Sequence, residues 1–242
     1  MSFGHWQRHF EHNQRRPLPE VTPPADLAPA QRRALAWSLA RFQIGEVGEG
    51  RIARDIWRVC LPGIDDAYRV ALGLFVKEEG RHARIAAEMV RALGGRLLTR
   101  SWSHGLFRFV RRQIGARTKL LMFFAAEVIA VGCYGLLAEA LPASPLRAAM
   151  AQICDDERGH MAFHGEFFGA VAPRGIRRAI FLAAWSLVGT GAALLALAEH
   201  RRTLRAFGIP LLGAARGLVR LVVDGGRRAS RAPHLAAAGA AP

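Results

Sequence analysis

Glu79-Gly80-Arg81-His82 and Glu157-Arg158-Gly159-His160 decide how this chain of 242 residues folds. Each run is a Glu-x-x-His inside a strongly helical stretch. Residues three apart lie on one face of a helix, so each run aims a carboxylate and an imidazole at the same point. Two such pairs, with a lone glutamate from each of two further helices, form the ligand set of a bundle that holds two iron or manganese ions. Both lone glutamates are available. Glu46 lies in Phe42-Gln43-Ile44-Gly45-Glu46, and Glu127 lies in the apolar run from Leu120 to Ile129. One Glu-x-x-His arises by chance on any charged helix face; two, in order with isolated acids on apolar helices, form a far more specific signal.

Working outward from the motifs, the punctuation of the chain predicts four long helices. The first spans about Pro29 to Leu61, stopped by Pro62-Gly63, and the second runs from Asp65-Asp66, good N-cap residues, to Gly94-Gly95. A third covers about Thr118 to Leu141, and a fourth starts at Ser144-Pro145, with proline in the favoured first turn, and ends near Val171. Their midpoints fall near residues 46, 80, 129 and 158, so all six ligands can meet in one layer of a bundle. Short links make hairpins of helices 1-2 and 3-4, and the link of roughly 20 residues between helices 2 and 3 is long enough to cross over. The expected fold is therefore all-α, a ferritin-like four-helix bundle over residues 29–172. It is flanked by an irregular arm (1–28), an apolar helical extension (173–224) and a disordered tail (225–242).

Composition bounds the rest. Hydrophobic residues make up 51% of the chain and the formal net charge is +15, carried by arginine because Lys77 and Lys119 are the only lysines. Such a surface is drawn to nucleic acid, anionic lipid or acidic partners. The three cysteines form no C-x-x-C, and the N-terminus lacks a secretory pattern, which predicts a reduced, cytoplasmic protein.

Around the site, Glu46 and Glu49 compete for one ligand position, and closeness to the helix midpoint favours Glu46. A buried glutamate such as Glu127 is costly unless paired or bound to metal; a carboxylate hydrogen-bonded in a core is the plain alternative. For the two pairs that alternative is a solvated helix face. Glu78 and Asp156, each just before a motif, are expected to accept the free N–H of the histidines, with Arg81 and Arg158 pairing to them. His164 is expected at the surface or behind the ligands, His5, His9 and His12 are expected to be incidental, and Cys133 and Cys154 fit small core positions.

With this ligand order in place, the chain resembles the ferritin-like di-iron carboxylate proteins over residues 30 to about 171. It is most similar to the demethoxyubiquinone hydroxylases. Their first-helix pattern G-E-x-G-x-x-R-I is matched by Gly45-Glu46-Val47-Gly48-Glu49-Gly50-Arg51-Ile52, which also selects Glu46 over Glu49. The tyrosine seven residues after their third-helix glutamate is Tyr134 here. Their histidine before that tyrosine is Cys133, and their histidine three before the first glutamate is Gln43; these departures touch the quinone substrate rather than the metals. The resemblance implies a di-iron monooxygenase with Tyr134 in a catalytic place, two iron ions (or manganese) and no organic cofactor. An acyl desaturase or N-oxygenase resembles the same pairs, and an iron-binding or peroxide-scavenging protein of the ferritin and rubrerythrin kind is the alternative from another class.

The fifth predicted helix, Ile176 to about Leu204, carries no charge between Ala179 and Ala198 and is bracketed by Arg177-Arg178 and Arg201-Arg202. Twenty apolar residues match a bilayer core; a dimer interface or a cover for the bundle is equally compatible. The segment Trp102 to Arg117 reads as a basic interfacial helix, and a shorter helix is expected from Pro210 to Val223. These features imply a small lipophilic substrate, an anionic membrane at its inner face and room for a homodimer, and the di-iron resemblance implies a separate electron donor. Nucleic acid has no recognised binding motif here.

Overall fold

A computed structural model describes residues 3–47, 64–100, 105, 116–171 and 175–230. Among these the protein is all-helical, with seven helices: α1 (Gly4–Gln14), α2 (Pro29–Glu46), α3 (Asp66–Ala92), α4 (Ala116–Ala140), α5 (Pro145–Ala170), α6 (Ile176–Ala206) and α7 (Leu211–Ser230). Local chemistry sets the ends of the bundle helices. Asp65 caps α3 by accepting from Tyr68 N at 2.7 Å, and Ser144 caps α5 by accepting from Arg147 N. Gly94 ends α3 in the left-handed region, φ +75°. The next residue, Gly95, lies so close to α2 that an added Cβ would sit 2.7 Å from Ala36 Cβ.

The closest helix partners are α2 with α3 and α4 with α5, joined where α3 meets α5. The short link 141–144 folds α5 back along α4. Their shared core is aromatic and aliphatic: Tyr68, Phe75, Phe123, Phe124, Phe163 and Phe167 are essentially inaccessible.

The structure departs from the sequence expectations at both ends. Residues 4–14 form a helix rather than part of an irregular arm, because Phe3, Trp6 and Phe10 fall on one face and pack against Tyr68, Phe75 and Phe163. At the other end α7 runs to Ser230, past Gly225 where a disordered tail was expected. Gly225 and Gly226 are packed against Trp185, whose ring atoms lie 2.9 and 2.6 Å from where a Cβ would stand, and Trp185 Nε1 donates to Val222 O. The expected helix beyond Val47, the basic segment 102–117 apart from Gly105 and the first two residues of α4, and residues 231–242 lie outside the described residues.

Helices α6 and α7 pair with each other and lie over α4, with α6 also touching α2 and α7 touching α5. Among the described residues, two helices are long and apolar enough to cross a membrane. Lys119–Ala140 is 72% buried, as expected of the bundle's own core helix, whereas Ile176–Ala206 is only 22% buried. One face of α6, bearing Trp185, Gly189, Ala193, Ala196, His200 and Thr203, covers the bundle. Ile176, Ile180, Leu187 and Leu194 form an exposed stripe on another.

Candidate metal centre

The middle of α3 and the middle of α5 face each other and place four side chains in one buried cluster. Glu79, His82, Glu157 and His160 each offer a ligand atom, and these atoms lie within 4.8 Å of one another. None is more than 1% exposed. Glu157 spans the two histidines, with Oε1 3.1 Å from His82 Nδ1 and Oε2 3.1 Å from His160 Nδ1. Glu79 Oε1 lies 2.7 Å from His160 Nδ1 without hydrogen-bond geometry, and neither Glu79 oxygen has a hydrogen-bond partner. Glu127 enters from α4, its Oε2 3.4 Å from His160 Nδ1.

Both histidines turn Nδ1 inward and Nε2 outward. The outward nitrogens are held in a crossed fashion: His82 of α3 donates to Asp156 of α5 at 3.2 Å, and His160 of α5 donates to Glu78 of α3 at 3.1 Å. A carboxylate behind a ligand histidine fixes the ring's tautomer and orientation. Here each helix supplies the acid that orients the other helix's histidine.

The electrostatics follow from burial and crowding. Burial pulls His82 down, but hydrogen bonds to Asp156 and Glu157 outweigh it and raise the imidazole to about 10. His160 is likewise raised, by Glu79 and Glu157 against its burial. Burial raises Glu127, and the charges of Glu157 and Glu79 add to that. Burial also opposes ionisation of Glu157, yet its contacts with Glu127, His160 and His82 hold it well below the ordinary value. Imidazoles and carboxylates thus compete for protons in one buried layer, and a metal ion bound there would have to displace them. A carboxylate with two unpartnered oxygens in a mixed oxygen and nitrogen donor set is the chemistry of a first-row divalent ion. The cluster can hold a metal ion.

Of the remaining residues singled out from sequence, Glu46 ends α2 half-buried and acts on Tyr134, whose pKa is raised first by burial and then by Glu46, Glu157 and Glu79. The Tyr134 hydroxyl is buried without a hydrogen-bond partner. Glu49 and Cys60 lie outside the described residues, and Cys133 and Cys154 are free, buried thiols. Two expectations are corrected. Arg81 does not pair with Glu78 but donates to the carbonyls of Arg16 and Pro17. Arg158 bonds exposed Asp155, because Asp156 lies two residues away on another face. The cation that pairs with Glu78 and Asp156 is Arg16, which sequence reasoning passed over.

The histidines outside the motifs are also placed. His164 is fully buried one turn below His160, with neither ring nitrogen hydrogen-bonded, boxed by Phe75, Phe123 and Phe163. His5 is not idle, since it and Trp6 Nε1 both bond Glu166 Oε2. His9 packs on Gly159 and feels the charges of Glu78, His160 and Asp156. A helical face carried by Trp6 and Phe10 was the signal that these histidines dock. Comparison with known protein families, curated proteins and solved structures finds no match.

Proposed function

We propose that this protein is a di-iron carboxylate oxidoreductase of ferritin-like architecture, with that fold's long crossover connectivity, acting on a lipophilic quinone-like or acyl substrate. The observation that carries the reading is the buried cluster of two Glu-x-x-His pairs, with Glu79 left without a hydrogen-bond partner and Glu127 alongside. Glu46, Glu79, His82, Glu127, Glu157 and His160 would hold the two metals, with manganese as the other candidate ion. Bound iron would supply dioxygen activation and a two-electron oxidation of an organic molecule, with electrons from a separate donor. The chain's own contribution would be to fix the histidines through Glu78 and Asp156, to keep water out with Phe75, Phe123 and Phe163, and to offer the buried Tyr134 hydroxyl, which feels the charges of Glu46, Glu157 and Glu79, as a proton donor.

Anaerobic loading with ferrous iron, metal analysis, then exposure to air with a chemical reductant and a lipid extract tests this. The expected result is two irons per chain and oxygen uptake that yields an oxygenated or dehydrogenated lipid, lost in Glu46→Ala and largely kept in Glu49→Ala. Failure to bind iron would overturn the reading. Uptake of oxygen or peroxide without an organic product would assign the protein to the iron-binding or scavenging class instead.

The exposed stripe on α6, together with Leu212, Val219 and Val223 on α7 and the +15 charge, supports a place on the inner face of an anionic membrane, lying on lipid rather than crossing it. Full-length protein should sediment with phosphatidylglycerol vesicles at low salt. Protein left in the supernatant would remove the membrane from the proposal and turn the stripe toward a second copy of the chain.

A further inference from the structure

The crossed carboxylates behind the two histidines are themselves tied together, by a residue that belongs to none of the four bundle helices. Arg16 follows the end of α1. Its Nη2 lies 3.3 Å from Glu78 Oε1 and 2.5 Å from Asp156 Oδ1. The other oxygens of the same two acids receive His160 Nε2 and His82 Nε2. One unbroken chain of hydrogen bonds therefore runs His82, Asp156, Arg16, Glu78, His160. Glu78 and Asp156 are only 1% and 4% exposed and face each other across α3 and α5, so without a cation between them two buried carboxylates would repel. The backbone that carries Arg16 is anchored in turn: Arg81 of α3 donates to the carbonyls of Arg16 and Pro17, and Phe10 packs on the ring of His160.

We infer that Arg16 is a positioning residue of the metal centre, holding Glu78 and Asp156 and through them aiming both histidine Nδ1 atoms at the metal, so that metal retention depends on the docked N-terminal segment. The inference rests on the metal reading above and extends it to a part of the chain outside the bundle. It also gives α1 a use. The helix covers the outer side of the histidine layer and delivers one guanidinium to the point where two helices' acids converge.

Cobalt(II) binding to the full chain, by competition with a chelator, tests the inference. Arg16→Gln should weaken binding roughly 10- to 100-fold, the range for residues that orient a ligand, and speed release to excess chelator, with the metal-free protein keeping its helicity. Arg16→Lys, which keeps the charge but not the planar fork, should recover most of that loss. The decisive readout is coupling. If Arg16 acts through Glu78, then Arg16→Gln and Glu78→Gln together should cost little more than the worse single change, whereas additive costs would overturn the inference. Should Arg16→Gln fail to fold, Arg16→Gln with Asp156→Asn removes the unbalanced charge; that double variant should fold and bind cobalt at least about tenfold more weakly, and wild-type affinity would overturn the inference. Wild-type protein that binds no cobalt would overturn the metal reading itself. Wild-type protein that binds cobalt no better than Arg16→Gln overturns only the role of Arg16.

Discussion

Two regions of this molecule bury histidines with opposite results. In the layer between α3 and α5, His82 and His160 are fully buried and yet raised, because Asp156, Glu157 and Glu79 surround them. Elsewhere, with no carboxylate bonded to them, His164 and His200 are also buried and are lowered instead. Burial among phenylalanines, with the positive His160 nearby, takes His164 down to about 3, and burial beside Arg41 takes His200 to about 4. One helical turn separates His160 from His164. Burial by itself drives an imidazole neutral, and only a carboxylate within hydrogen-bond reach reverses it. The difference confines the raised imidazoles to the layer between α3 and α5 that can hold a metal ion.

The strongest way to break this contrast is to remove the acid that spans the charged layer. Glu157→Ala takes a carboxylate from 3.1 Å contact with both His82 and His160. It should cost at least the roughly 100-fold in metal affinity that marks the upper end for orienting residues, as measured by metal analysis after dialysis. Retained stoichiometric metal would show that the layer does not act as a unit.

A second test addresses the neutral side. His164 has an unfolded value near 6.5 and a folded value of about 3, so the unfolded chain takes up the proton first as pH falls. The stability tied to this residue is full above pH 6.5 and drains away below it, by about 1.4 kcal/mol per pH unit, until the folded value is reached. His164→Leu has no such proton to gain. Urea midpoints of wild type and variant should therefore diverge as pH is lowered from about 7.5 to about 5, the wild type losing more. Parallel curves would mean that His164 is not held neutral.

The smallest expected effect sharpens the comparison between the two neutral histidines. Unlike His164, His200 has a polar partner: Ser38 Oγ lies 2.8 Å from its Nδ1 and 2.7 Å from Thr203 Oγ1, and Thr203 donates to Ala34 O. Ser38→Ala should lower stability by about 1–3 kcal/mol, the cost of leaving buried polar atoms unsatisfied. Thermal melting would register it with metal content unchanged. A change in metal content would instead tie this clamp between α2 and α6 to the centre.

The heart of the site was legible because Glu-x-x-His is a local signal: three residues of spacing on a helix fix a shared face whatever the rest of the chain does. Helix limits marked by Asp65, Ser144-Pro145 and Gly94 were legible for the same reason. What escaped were contacts made across the chain. Arg16 stands 62 residues from Glu78 and 140 from Asp156, and no periodicity links it to either. Arginines beside the motifs looked like partners but point elsewhere. The first helix was hidden by polar composition, although Phe3, Trp6 and Phe10 already carried helical spacing. At the other end, Gly225-Gly226 looked like flexible chain, when the missing side chains are what allow Trp185 to approach.

The crossed acids also constrain how this sequence can vary. Because the histidine of α3 answers to an acid of α5, and the histidine of α5 to an acid of α3, neither motif is self-contained. Transplanting either stretch alone into an unrelated bundle leaves its imidazole pointing at a residue that was never chosen for it. Sliding one helix by a turn would break both links together. A change at Glu78 or Asp156 is therefore felt first by the histidine of the opposite helix.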